Sequence, residues 1–154
     1  MRRFALSALI SLAAALPAAA CDAPANAAQL AHVLMLEINQ ERGRAGLPAL
    51  RMSPQLTQAA QAHACDSARH NRMSHTGTDG SNFGQRIIRA GYNYRSATEN
   101  VALGFPEPGQ VLRAWMRSPG HRQNILARRP NELGLGVARG RDGRTHWVMK
   151  SGVR

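Results

Sequence analysis

The chain has 154 residues, with 20 Lys or Arg against 9 Asp or Glu, for a formal charge of +11. That length suffices for one domain with one core and excludes two. Nineteen of the twenty basic residues are arginine in an Ala-rich chain, a bias that genome base composition produces by itself, so charge alone does not argue for nucleic-acid binding.

Arg2 and Arg3 open a leader in which Phe4 to Leu16 is apolar apart from serines and Pro17-Ala18-Ala19-Ala20 ends in small residues suited to signal peptidase. Residues 1–20 read as a signal peptide, 21–30 as a linker of Ala, Pro and Asn character, and 31–154 as the folded domain. The mature chain is therefore expected to be exported, to the periplasm or outside the cell. An apolar run of about 13 residues is shorter than the roughly 20 a membrane span needs, so no transmembrane span is expected, and export argues against a nucleic-acid partner. Loss of Arg2 and Arg3 leaves a charge of +9, which suits attraction to anionic envelope surfaces.

Cys21 follows Ala20 directly, and Cys65 is the only other cysteine. An even count in an oxidising compartment favours a disulfide between them. Closing that loop of about 44 residues would stabilise the fold by roughly 3 to 4 kcal/mol. Lipidation of Cys21 is the competing reading; a lipoprotein site usually has leucine three residues earlier, where this chain has Ala18. Cleavage at Ala25-Asn26-Ala27 instead would leave Cys65 alone.

Leu30, Val33, Leu34, Leu36 and Ile38 recur at helical spacing, and Gly43 with Gly46-Leu47-Pro48 stops this first helix. Ser53-Pro54 caps a second, Ala-rich helix through Ala68 that carries His63 and His70 on one face. Both read as satisfied helix histidines. Ser, Thr, Gly and Asp between Met73 and Ser81 mark a turn-rich loop holding His75. Asn82 to Ala90 is a short helix ended by Gly91, and Ser96 to Gly104 is a short strand or an extended strip containing Glu99. Pro108 to Met116 is an amphipathic helix with Trp115 in the core; it stops at Pro119-Gly120, and a helical turn follows from His121 to Leu126. Beyond Pro130 the period changes to two: Leu133, Leu135 and Val137 alternate with Gly134, Gly136 and Ala138. Gly140 to Gly143 then turns the chain into Trp147-Val148-Met149, a closing hairpin.

His75, Glu99 and His121 carry the chemistry, since two imidazoles and a carboxylate can hold a divalent metal or share a proton. The residues around them match a family in order: Glu37-x-Asn39-x-x-Arg42, Ala59-Ala60-x-x-His63-Ala64, Ser74-His75-Thr76-Gly77-x-Asp79-Gly80, Arg86-Ile87, Gly91-Tyr92, Glu99-Asn100-Val101-Ala102, Trp115-Met116-x-Ser118-Pro119-Gly120-His121-Arg122-x-Asn124-Ile125-Leu126, Leu133-Gly134-x-Gly136 and Trp147-Val148. From about residue 33 to 150 the chain resembles a bacterial member of the CAP superfamily, the cysteine-rich secretory protein, antigen 5 and pathogenesis-related protein group.

The resemblance implies an α+β fold, a three-layer α-β-α sandwich with a central cleft into which two histidines and two glutamates project. Here His75, His121 and Glu99 take three of those positions, while Met116, Arg117 and Ser118 stand where the second glutamate would follow Trp115. A metal such as zinc would then complete its shell with water. Asn100, Asn124 and Ser118 are supporting residues, the asparagines as partners for irregular backbone. Arg86 and Arg122 pair with acids or stay solvated.

Three functions compete. The first is a secreted, monomeric ligand-binding or interaction module whose partner is a lipid, a sterol, an envelope glycan or a protein. The second is a metal-dependent, peptidase-like hydrolase with Glu99 as base. Against it, neither Ser74 nor Ser118 sits in a nucleophile elbow, and no His-Glu-x-x-His pattern occurs. The third is a basic envelope-associated protein with no cleft chemistry, whose binding would collapse at high salt.

Overall fold

A computed structural model describes residues 23–154; the expected leader and Cys21 lie outside the described residues. Helix α1 spans Ala27–Arg44 and begins inside the predicted linker. Ala27 and Leu30 pack against the core. Ala31, Leu34 and Ile38 form the buried stripe of α1, whereas Val33 and Leu36 face outward.

The helix ends in a Schellman motif. Gly46 adopts φ +68°, Leu47 N donates to Arg42 O (2.9 Å), and Gly46 N donates to Gly43 O (3.0 Å). Two side chains of α1 then fix the next segment. Asn39 bonds both backbone groups of Leu50, at 2.8 and 3.0 Å. Arg42, fully buried, donates to the carbonyls of Pro48, Ile125 and Ala127. The matched Asn39 and Arg42 therefore satisfy irregular backbone that has no ladder of its own.

Strand β1 is only Arg51–Met52, and Ser53 caps α2 (Pro54–Arg69) by accepting from Leu56 N at 3.4 Å. Asn71, at φ +48°, closes α2 as glycine closes α1. Helix α3 (Phe83–Arg89) opens with a capping box between Asn82 and Gln85 and ends at Gly91, φ +79°. Strand β2 (Ser96–Leu103) pairs with β4 along its whole length, which settles the strand-or-strip alternative. Helices α4 (Pro108–Arg117) and α5 (Pro119–Ile125) follow, and α5 starts two residues before His121. Strands β3 (Glu132–Arg139) and β4 (Thr145–Val153) form the predicted hairpin.

The four strands run β1-β3-β4-β2, with β1 parallel to β3 and the other pairs antiparallel. Helices lie on both faces, giving an α-β-α sandwich. One face carries Leu133, Leu135, Val137, Trp147 and Met149 against α1 and α4, with Trp115 at the centre. The other packs on α2.

Glycine alternation in β3 has a steric cause. A Cβ on Gly134 would lie 2.0 Å from the carbonyl carbon of Leu56, and one on Gly136 would lie 2.4 Å from that of Ala60. Helix α2 therefore rests directly on the strand backbone, which only glycine permits. Among the described residues, no helix is long and apolar enough to cross a membrane.

Candidate functional site

Strand β2 lies at the sheet edge, and its side chains alternate between layers. Glu99 points toward the α2 and α3 side, and Asn100 toward α5. Directly opposite Glu99 in the register stands Lys150 of β4. The carboxylate is saturated. Its Oε1 accepts from His75 Nδ1 (2.9 Å) and Arg86 Nη2 (3.2 Å); its Oε2 accepts from Arg86 Nη2 (3.0 Å) and from Lys150 Nζ. The Glu99 and Lys150 side chains are 1% and 0% exposed.

Burial alone would raise the Glu99 carboxyl, but the Lys150 ammonium, the His75 bond and the Arg86 guanidinium outweigh it and hold it below the usual carboxylate range. Burial pulls Lys150 down to about 8, opposed by the charge of Glu99. A buried pair of this kind contributes little net stability, yet removing one partner leaves an uncompensated charge.

The loop that carries His75 is tied down on both sides. On α2, His63 Nε2 bonds Ser74 O at 2.8 Å, and the Asp66 carboxylate accepts from Thr78 N (2.9 Å) and Thr78 Oγ1 (2.5 Å). From α3, Arg86 reaches His75 O (2.8 Å) and Ser81 O (2.6 Å). The His75 ring itself remains 56% exposed. A carboxylate can only accept, so Nδ1 carries the proton of this bond.

His121 comes from the opposite layer. Asn100 Nδ2 donates to His121 O (3.0 Å), and Asn124 Nδ2 donates to Asn100 Oδ1 (2.9 Å) and Glu99 O (3.1 Å), so the asparagines seat α5 on β2. Ser118 occupies the N-cap position of α5 without a side-chain capping bond. The His121 ring tilts 56° against Trp115, with centroids 6.4 Å apart. Burial, then the nearby His75, lower its pKa. His75 is thus close enough to disfavour charge on His121.

These contacts define the surroundings of each candidate residue. Glu99 is a buried carboxylate whose oxygens are bonded by His75, Arg86 and Lys150. Among the described residues, no three His, Cys, Asp or Glu side chains converge as a metal's ligand set. Arg86 is nearly buried and paired with Glu99, whereas Arg122 is exposed. His63 is only half satisfied, since its Nδ1 is buried without a partner. His70 bonds Asp66 O at 2.8 Å on the surface. Lys150 is the site residue that motif reading misses, although it is the only lysine in the chain and closes an otherwise apolar strand run. Cys65 is buried on α2; its expected partner, Cys21, lies outside the described residues.

Comparison with known proteins agrees with the fold. The model of the cysteine-rich secretory protein family matches residues 35–151. Over 100 residues the chain is 39% identical to YkwD of Bacillus subtilis (strain 168), a match covering 64% of this chain and 38% of that protein. The chain thus spans well under half the length of that relative. An extracellular SCP-domain protein from Bacillus anthracis str. Ames superposes with a TM-score of 0.76 at 25% identity, over 83% of this chain and 41% of that one. An outer surface protein from Borrelia burgdorferi gives 0.74 at 24% identity, over 80% and 91%. With the sandwich, the edge-strand carboxylate and both histidines in their motifs, the chain belongs to the cysteine-rich secretory protein, or CAP, family.

Proposed function

We propose that this CAP domain is an exported, monomeric binding module in which His75 and His121 contact the ligand over a rigid floor made by Glu99, Lys150 and Arg86. The observation that carries the reading is the saturation of Glu99: a carboxylate held ionised between two cations recognises and orients, and makes a poor base. That same observation opposes the peptidase-like alternative. Lipids, sterols, envelope glycans and proteins are the ligand classes to screen. The extracellular and outer-surface descriptions of two structural neighbours support export, as does the leader at residues 1–20. A Cys21–Cys65 disulfide belongs to the same proposal, because Cys65 is buried on a face of α2 that a staple from the N-terminus would secure.

His75 and His121 also suit a loosely held divalent metal such as zinc. Hydrogen bonding of one ring nitrogen to a carboxylate is the usual way a metal-binding imidazole is oriented, and His75 has that bond to Glu99. Two protein nitrogens are half of a tetrahedral shell. A bound ion would supply Lewis-acid polarisation of a ligand oxygen.

Zinc titration of the mature protein by calorimetry, parent against a His75→Ala, His121→Ala double variant, tests the metal reading. Saturable binding in the parent and none in the variant is expected; equal binding by both overturns it. Hydrolysis of a peptide library by pure protein, abolished by Glu99→Gln, would overturn the binding-module reading in favour of an enzyme.

A further inference from the structure

Apart from the imidazoles, a cavity of about 340 Å³ opens between α2 and α3, roofed by the loop at 77–81. Helix α2 lines it with Gln58, Ala59, Ala62, His63 and Asp66, a spacing that marks one face of a helix. Ala59 and Ala62, with Ala90 beyond the end of α3, make an apolar wall. Helical side chains lean toward the N-terminus of their helix, so Asp66 reaches back over Ala62 to the edge of that wall.

The arginines of the lining each have a carboxylate. Arg89 Nη1 bonds Asp79 Oδ2 at 2.5 Å, and Arg86 Nη2 bonds Glu99 Oε2 at 3.0 Å. Asp66 has no arginine or lysine partner among the described residues. Its carboxylate accepts from Thr78 N (2.9 Å) and Thr78 Oγ1 (2.5 Å), both neutral. His70 Nδ1 stands 3.4 Å from Oδ1, but it donates to Asp66 O at 2.8 Å, and the ring is charged only when protonated.

Burial would raise the Asp66 carboxyl, but the two Thr78 bonds, then the His70 and His63 imidazoles, hold it below the usual carboxylate range. It is therefore an anion at neutral pH. The side chain is 27% exposed, and Thr78 fills only about half of the roughly four acceptor positions that a carboxylate offers. Asp66 also lies in the last turn of α2, where the negative end of the helix dipole disfavours an acid and favours a cation. A bound cation would offset both effects.

We infer that the α2–α3 cavity binds a small organic ammonium ion, its charged head on the Asp66 carboxylate and its apolar body against Ala59, Ala62 and Ala90. An ammonium group has donors and no acceptor, which suits a carboxylate with open lone pairs. The volume lies at the lower end of small-molecule sites, so the body is a single ring or a short chain. Binding here needs neither His75 nor His121.

Benzylammonium and benzyl alcohol match in shape and differ in charge. Each would be titrated at pH 7.5 into the ¹⁵N-labelled mature protein, into Asp66→Asn, whose amide oxygen can still accept from Thr78, and into Ala62→Leu, which fills the cavity from an exposed position. Expected are saturable shifts confined to α2, α3 and the loop at 77–81, with benzyl alcohol about tenfold weaker than benzylammonium. Asp66→Asn should bind the two probes equally, and Ala62→Leu should bind neither. Absence of a saturable shift in the parent overturns the site. Benzyl alcohol binding as tightly as benzylammonium, or undiminished benzylammonium binding by Asp66→Asn, overturns the carboxylate anchor. Unchanged binding in Ala62→Leu places the probe elsewhere and overturns the assignment. A blocked Gly-Lys-Gly peptide that binds this cavity more tightly than benzylammonium overturns the free ion in favour of a partner protein's lysine.

Discussion

Replacing Lys150 with methionine shortens the unbranched side chain by one atom and removes its charge from a strand position that is 0% exposed. Glu99 would retain Arg86 and His75 but lose the ammonium that is the strongest opponent of its burial. Breaking a buried ion pair from one side costs about 3 to 5 kcal/mol; with two partners left, the lower end, about 3 kcal/mol, is expected. For a domain of this size that corresponds to a fall in Tm of roughly 10 °C. The carboxyl would also rise. A carboxylate whose folded pKa is depressed stabilises above its unfolded pKa, and that stability is lost as pH falls through the folded value. The acid-unfolding limb of Lys150→Met should therefore move to higher pH. Urea denaturation from pH 3 to 8 reads both effects, and Glu99→Gln with Lys150→Met completes a double-mutant cycle. The double variant should lie at least about 1 kcal/mol closer to the parent than the sum of the singles. A loss below about 1 kcal/mol, an unmoved acid limb and an additive cycle would together refute the buried pair.

Gly136→Ala should cost about 2 to 3 kcal/mol, because the new Cβ would meet backbone of α2 at 2.4 Å and backbone cannot rotate aside; a change within about 0.5 kcal/mol by chemical denaturation would show that α2 does not rest on β3. Between pH 7 and 5.5 the Tm should fall. His63 and His146 are buried and their pKa values are lowered chiefly by desolvation, so the unfolded chain, with ordinary imidazoles near 6.5, binds more protons in that window and gains on the fold. His63→Gln should flatten the slope, and a Tm that holds or rises on acidification would contradict the desolvated state of these rings.

The hairpin and the helices are legible in the sequence because each carries a local signal: alternation in Leu133 to Val137, Ser53-Pro54 as a cap, Gly46 and Gly91 as stops. The meaning of the Gly134 and Gly136 alternation is less local, since it depends on which helix lies across the strand. Strand β1 has two residues and pairs with a partner 81 positions away, so no periodicity announces it. The start of α1 is obscured because Ala27 and Leu30 are held by packing rather than by a capping side chain. At the site, His75, Glu99 and His121 are recognisable from their motifs, but the state of Glu99 is not. It is decided by Lys150, which the register of the β2–β4 pairing places opposite, and by Arg86, which α3 delivers from the side. A solitary lysine in an arginine-rich chain is the available clue.

The floor of the site is most directly tested at His75. A long-range ¹H–¹⁵N imidazole spectrum of the mature protein at pH 8 distinguishes the two tautomers of that ring. The expected pattern is a proton on Nδ1, donated to an ionised Glu99, with Nε2 bare toward solvent. A proton on Nε2 with Nδ1 bare would mean that Glu99 is not an accepting carboxylate there, and the oriented imidazole above a buried ion pair would be disproved.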